Sequence, residues 1–319
     1  MMIEGLRNGC IRTLGKAISL AADNPPAARK LLRELGSRSH RSPVIAMTGP
    51  TGVGKSSLLR CMIDHCVGIG HRVGVLAIDP SSPISGGALL GDRVRMASSC
   101  ASPGSLFIRS LSSRGRVGGV SDGLSLSVEF LKHAGFNTIF VETTGAGQCE
   151  YDVLQVADVT CILVAEGFGD ELQAMKSGLM EVGDIIVVNK CTRPGSKRLL
   201  RDIVGYIGHS LRFERYGLVP SRVLETDAIQ SIGIAELWAA IENSISDPVL
   251  RDSAHRKRQI VNQSLLLDDF LRRVKDRMLK RLAVCAGAES SSNSEFGDHF
   301  DELLGICSEE LIQLRSDVR

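Results

Sequence analysis

Aromatic residues are scarce in this 319-residue chain, 4% of the total with a single Trp. A surface that stacks successive bases needs several rings in series, so no nucleic-acid partner is expected. An excess of one charge is also missing. Lys and Arg number 38 against 36 Asp and Glu, a formal net charge of +2, and no long-range attraction to a charged partner follows from that balance. There is no run of about 18 apolar residues, the length a membrane span requires, so no membrane segment is expected. The N-terminus has no basic segment leading into an apolar stretch, and no secretory signal is expected. Paired cysteine spacings are absent too. Nine cysteines are scattered at positions 10, 61, 66, 100, 149, 161, 191, 285 and 307, an odd count with no CxxC. Free thiols in a reducing compartment follow, and the expectation is a cytoplasmic protein.

The sequence does hold ample apolar residues in short blocks. Residues 1–42 read as a helical hairpin: Leu6, Ile11, Leu14, Ile18 and Ala21 recur at helical spacing, Asp23-Asn24-Pro25-Pro26 interrupts, and the pattern resumes from Ala27 to Leu35. Residues 43–247 alternate short apolar runs with amphipathic ones. Strands are predicted at Val44–Met47, Val73–Ile78, Leu106–Ile108, Thr138–Val141, Thr160–Ala165, Ile185–Val188 and Arg222–Leu224. Uninterrupted apolar runs mark strands covered on both faces, and their alternation with helices predicts an α/β fold, a doubly wound, mostly parallel sheet. Residues 248–319 shift in composition. Leu267, Phe270, Leu271, Val274, Met278 and Leu282 form an apolar stripe on a basic helix over 251–285, either packed on its own domain or serving as a dimer arm. A short helix is predicted around Leu303 to Leu314.

The chemistry concentrates at the predicted carboxyl ends of the strands, where doubly wound sheets bind ligands. Gly49-Pro50-Thr51-Gly52-Val53-Gly54-Lys55-Ser56 matches GxxxxGK[ST] in full, between a strand and the helical run from Ser57. Its backbone N–H groups converge on phosphate, Lys55 reaches the β- and γ-oxygens, and Ser56 ligates magnesium. The second strand ends at Asp79, before Pro80. An acid there holds magnesium or orients water, or it caps a turn. Asp92 follows the glycine-rich Gly86–Gly91 and is a further candidate for the magnesium shell. The fourth strand ends at Glu142, the Walker-B position, with Gly145 placed to approach the γ-phosphate and Gln148 a candidate to position water. After the sixth strand comes Asn189-Lys190-Cys191-Thr192. In GTPases this segment reads NKxD, and its Asp accepts from guanine N1–H and N2–H₂. One hydroxyl at Thr192 cannot supply two carboxylate oxygens. Cys61, His65 and Cys66 share a stretch of helix, but no second ligand cluster supports a metal site there.

These segments resemble the GTPases associated with methylmalonyl-CoA mutase, the MeaB/ArgK group. The resemblance runs from the N-terminal helices to about residue 280. It rests on Gly49–Ser56, Leu76–Ser82, Gly91–Met96, Val141–Gln148 and Gly167–Gln173. It implies a P-loop GTPase domain with GTP or GDP and Mg²⁺ as ligands, and Lys55, Ser56, Asp79, Asp92 and Glu142 about the phosphates and metal. It implies that Gly167–Gln173, with Lys176, is a switch loop and that the basic helix belongs to a dimerisation arm. The implied partner is an adenosylcobalamin-dependent acyl-CoA mutase, with a cobalamin adenosyltransferase as a second candidate. The chaperone would gate cofactor loading and protect the mutase. The family's NKAD is altered at Thr192, and its later Thr-Ser-Ala reads Thr226-Asp227-Ala228. The expectation is that Asp227 supplies part of the missing acceptor. Two other readings of the phosphate loop are a metallochaperone GTPase, for which seven His without a tract offer little, and a small-molecule kinase or ATPase. Hydrolysis is expected to be slow, because no Gln directly follows Gly145.

Overall fold

The computed structural model describes residues 2–36, 42–79, 104–112, 119–143, 149–167, 179–208 and 217–260, and helical positions 263, 267, 271 and 274. Asp92, Gly145, Gln148, residues 168–173, Lys176 and the segment around 303–314 lie outside the described residues.

All seven predicted strands form, and every pairing between them is parallel. They are β1 Val44–Thr48, β2 Val73–Asp79, β3 Leu106–Ser112, β4 Thr138–Thr143, β5 Val159–Val164, β6 Ile185–Val188 and β7 Arg222–Glu225. Their order across the sheet is β3-β2-β4-β1-β5-β6-β7. The strand carrying the phosphate loop is therefore central. The chain winds outward from it in both directions, and loops from both halves meet at its carboxyl end.

Both faces of the sheet are covered. Val44 and Ala46 of β1 join one apolar cluster and Ile45 and Met47 the other, the alternation that a pleated strand imposes. The first cluster is closed by α1 (Met2–Arg7), α2 (Ile11–Asp23), α3 (Pro25–Leu35), α5 (Gly119–His133) and α6 (Cys149–Val156), with α4 (Lys55–Gly68) on the other face. The N-terminal residues Leu6, Leu14 and Ile18 are fully buried in the same apolar cluster as Leu131 and Phe136, so they share the core of the sheet. Where a hairpin is predicted, three helices form. Gly9, at φ 66°, ends the first turn of chain, and Asn24 caps α3 by accepting from Ala27 N at 3.1 Å, with Pro25 in the first helical position. After α7 (Leu179–Val182) and α8 (Ser196–Gly208), α9 (Ile234–Ser246) returns to pack beside α4.

A further helix, α10, runs over residues 248–260. Its Lys257 donates to Gly183 O at 2.7 Å and pairs with Asp184 at 3.3 Å, and Ser253 Oγ accepts from Val219 N at 2.9 Å. Gly183 and Asp184 precede β6, so α10 is pinned at the amino ends of the strands, opposite the phosphate loop. The chain forms two compact units, residues 1–258 and 259–319. In the second, Leu267 and Leu271 are exposed and Val274 is buried.

Candidate nucleotide site

The phosphate loop leaves β1 and enters α4 with its backbone forced into conformations that favour glycine. Gly49, Gly52 and Gly54 have φ of 144°, 86° and 98°. At two of them the surroundings also exclude a side chain. A Cβ on Gly49 would stand 2.2 Å from Leu163 O of β5, and one on Gly54 would stand 2.5 Å from the Asn189 amide. Gly54 brings no side-chain cap to α4, so the first-turn N–H groups are left to the loop. This is the arrangement that binds anions. Lys55 is buried and donates to Gly49 O at 2.7 Å and Pro50 O at 2.9 Å. Its ammonium thus sits inside the curl of the loop.

Ser56 and Glu142 come from the two halves of one motif pair, 86 residues apart, and meet directly. Ser56 Oγ donates to Glu142 Oε1 at 2.7 Å. Glu142 is buried on β4, in register with Met47 of β1 and Ala77 of β2. One residue further along, Thr48 and Thr143 join their hydroxyls at 2.9 Å across β1 and β4, a link that the sequence reading did not single out. A hydroxyl and a carboxylate beside a phosphate cradle form a hard, oxygen-only donor set, which fits Mg²⁺. Asp79 ends β2 in register with Ser112 of β3, so its backbone stands at the same carboxyl edge.

On the β6–β7 side a second set of contacts ties the next loops to the cradle. Asn189 donates to Val53 O at 2.8 Å and accepts from Thr226 Oγ1 at 3.1 Å and Ala228 N at 3.4 Å. Lys190 takes the left-handed region at φ 60°, uncommon outside glycine, and its ammonium reaches Gly52 O at 2.6 Å. Burial, and then the nearby Arg193, lower the Lys190 pKa. Cys61 of α4 adds a contact from its thiol to Ala228 O at 3.2 Å, which gives that thiol a packing role.

Thr192 and Asp227, the two positions that depart from the family pattern, touch. Thr192 Oγ1 donates to Asp227 Oδ2 at 2.5 Å. The other carboxylate oxygen, Oδ1, accepts from Ile229 N at 3.0 Å and Gln230 N at 3.2 Å. The Asp227–Ile232 loop is closed by two backbone bonds of 3.0 Å between its ends. The Thr192 hydroxyl, helped by the Gln230 and Ile229 N–H groups, holds the Asp227 carboxyl below its ordinary 3.8, with burial acting the other way. Sequence reasoning singled out Asn189, Lys190, Asp227 and Ala228 but missed Thr226. Its signal was a hydroxyl next to the altered triplet.

Comparison with known proteins places the chain in a family. The family model for methylmalonyl Co-A mutase-associated GTPase MeaB matches residues 14–284. The GTPase ArgK of Escherichia coli is 35% identical over 245 residues, spanning 75% of this chain and 73% of that protein. A Pyrococcus horikoshii protein whose name marks it as a GTPase is 37% identical over 242 residues, 76% of each chain. A crystal structure of an LAO/AO transport system kinase aligns with a TM-score of 0.58 at 23% identity, covering 99% of this chain and 96% of the other, and shows the shared fold.

Proposed function

The chain belongs to the family of methylmalonyl-CoA mutase-associated GTPases, and from that premise we propose that it is a GTP-hydrolysing chaperone for an adenosylcobalamin-dependent acyl-CoA mutase. In this role it gates cofactor loading and protects the mutase. One observation carries the hydrolytic part: Ser56 and Glu142 meet at 2.7 Å beside the Lys55 cradle. A relative from Mus musculus, 31% identical over 254 residues, is named for methylmalonic aciduria type A. That name, with the family's, supports a partner in acyl-CoA metabolism.

Each side chain has a task in this reading. The N–H groups of Gly52 to Ser56 and the Lys55 ammonium hold the phosphates and stabilise charge that develops on them. Ser56 and Glu142 hold Mg²⁺, with Asp79 and Asp92 as further candidates. Bound there, the ion would supply positive charge that offsets the negative charge of the phosphates. Asn189 and Lys190 fasten the base-side loops to the phosphate loop. Gly145 and Gln148 are proposed near the γ-phosphate. Residues 167–173 with Lys176 would relay nucleotide state to the mutase, and the residues after 248 would form a homodimer arm. A cobalamin adenosyltransferase is a proposed further partner.

The test is hydrolysis of GTP by the full-length protein with and without its purified cognate mutase. The expected result is stable coelution and an acceleration of about tenfold or more, since GTPases of low intrinsic rate depend on partners. A rate that the mutase leaves unchanged, without coelution, would overturn the chaperone reading.

A further inference from the structure

We infer that Thr192 and Asp227 together form one composite acceptor that reads the guanine edge, replacing the single carboxylate of the family pattern. This rests on the GTP reading above. The topology says where the base must lie. The phosphate loop is at the centre of the sheet, and the acids of β2 and β4 occupy one side of it. On the other side of the phosphate loop, beyond β5, the carboxyl ends of β6 and β7 carry loops bonded to the cradle through Asn189 and Lys190. Thr192 and Asp227 stand on those loops.

The hydrogen-bond directions decide what the pair offers. Asp227 cannot act alone as a two-oxygen fork. Its Oδ1 already accepts two backbone N–H groups, and Oδ2 accepts the Thr192 hydroxyl, which leaves one lone pair. The same bond commits the Thr192 proton inward. Thr192 Oγ1 is then an acceptor toward the outside, polarised by the charge behind it. The Gln230 amide already treats that oxygen as an acceptor, donating to it at 3.4 Å. Thr192 is exposed and Asp227 is 5% exposed, so the hydroxyl is the more accessible of the two acceptors. The two oxygens are 2.5 Å apart, close to the spacing within one carboxylate. That edge suits two adjacent donors. Guanine presents N1–H and an exocyclic N2–H₂ there, hypoxanthine presents one donor, and adenine presents a lone pair on N1.

The experiment is calorimetric titration of the full-length protein with GDP, IDP and ADP. Wild type is expected to bind GDP tightest, then IDP, then ADP. Thr192→Val removes the outer acceptor and is expected to weaken GDP about tenfold to a hundredfold while leaving ADP unchanged, with unaltered ADP binding showing an intact fold. Thr192→Ser keeps the hydroxyl and is expected to keep the GDP preference. The exchange Thr192→Asp with Asp227→Thr is expected to recover it by returning a carboxylate to position 192. A GDP preference that survives Thr192→Val overturns the composite acceptor alone. A wild type that does not prefer GDP to ADP overturns the GTP reading beneath it.

Discussion

Asn189 donates its amide to Val53 O at 2.8 Å, bridging 136 residues of chain between the phosphate loop and the loop after β6. The same side chain accepts from Thr226 and Ala228 on the loop after β7. One buried amide thus fixes the relative position of three loops. Asn189→Ala leaves buried partners unsatisfied and is expected to cost about 1–3 kcal/mol, read by urea unfolding. Guanine nucleotide affinity should fall with it, since the base-side loops lose their tie to the cradle.

Gly54 and Gly49 give a graded pair. Gly54→Ala places a Cβ 2.5 Å from a side-chain amide at φ 98°, and Gly49→Ala places one 2.2 Å from a strand carbonyl at φ 144°. At Gly54 the Asn189 side chain must shift and strain its loop contacts, whereas at Gly49 the β5 backbone itself would have to move. Strain of about 1–3 kcal/mol is expected at Gly54, with a larger loss at Gly49. Thermal melts should rank wild type above Gly54→Ala and that above Gly49→Ala. The reverse order would contradict the assignment of the rigid wall to Leu163.

The Asp227 carboxyl is held below 3.8, and the sign of its pH effect follows. A depressed folded pKa means the unfolded chain binds the extra proton, so the contribution to stability is complete above about 3.8 and is lost as pH falls through the lower folded value. Unfolding free energies of wild type and Asp227→Asn should therefore differ by a constant amount from neutral pH down to the ordinary carboxylate range. The gap should close only in stronger acid. Thr192→Val removes the first cause of the depression and should shift that closure to higher pH.

Thiol reactivity should sort by environment. Cys10 is exposed, and the Thr13 hydroxyl and backbone lower its pKa. Burial pushes Cys66 up to about 12 and raises Cys161 further. In limited alkylation read peptide by peptide, Cys10 should label first among these three. Cys66 and Cys161 should label only on unfolding.

The strands were legible because covered faces leave apolar runs, and the largest strand error falls at an edge of the sheet. The apolar run that predicts β3 stops at Ile108, whereas the ladder continues to Ser112. Arg109 and Ser110 break the hydrophobic signal, yet an edge strand tolerates them, and Arg109 uses its guanidinium to reach Ser19 of α2 at 2.7 Å. Position 9 was similarly opaque: the break between α1 and α2 is a matter of one glycine's φ, which carries no period. At the site, the phosphate loop and Glu142 were legible through spacing. The contact between Thr192 and Asp227 was anticipated only as a compensation, because the direction of a hydroxyl proton is decided by tertiary neighbours that no local pattern records.

The central position of β1 divides labour across the sheet. In the proposed reading, the oxygen ligands for phosphate chemistry would come from α4 and β4, and the loops facing the base would come from β6 and β7 on the other flank. A lineage can therefore drift in which nucleotide it accepts while its hydrolytic half stays under separate selection. Thr192 and Asp227 sit on the loops after β6 and β7, apart from Ser56 and Glu142, so a change at positions 192 and 227 leaves the Ser56–Glu142 contact in place.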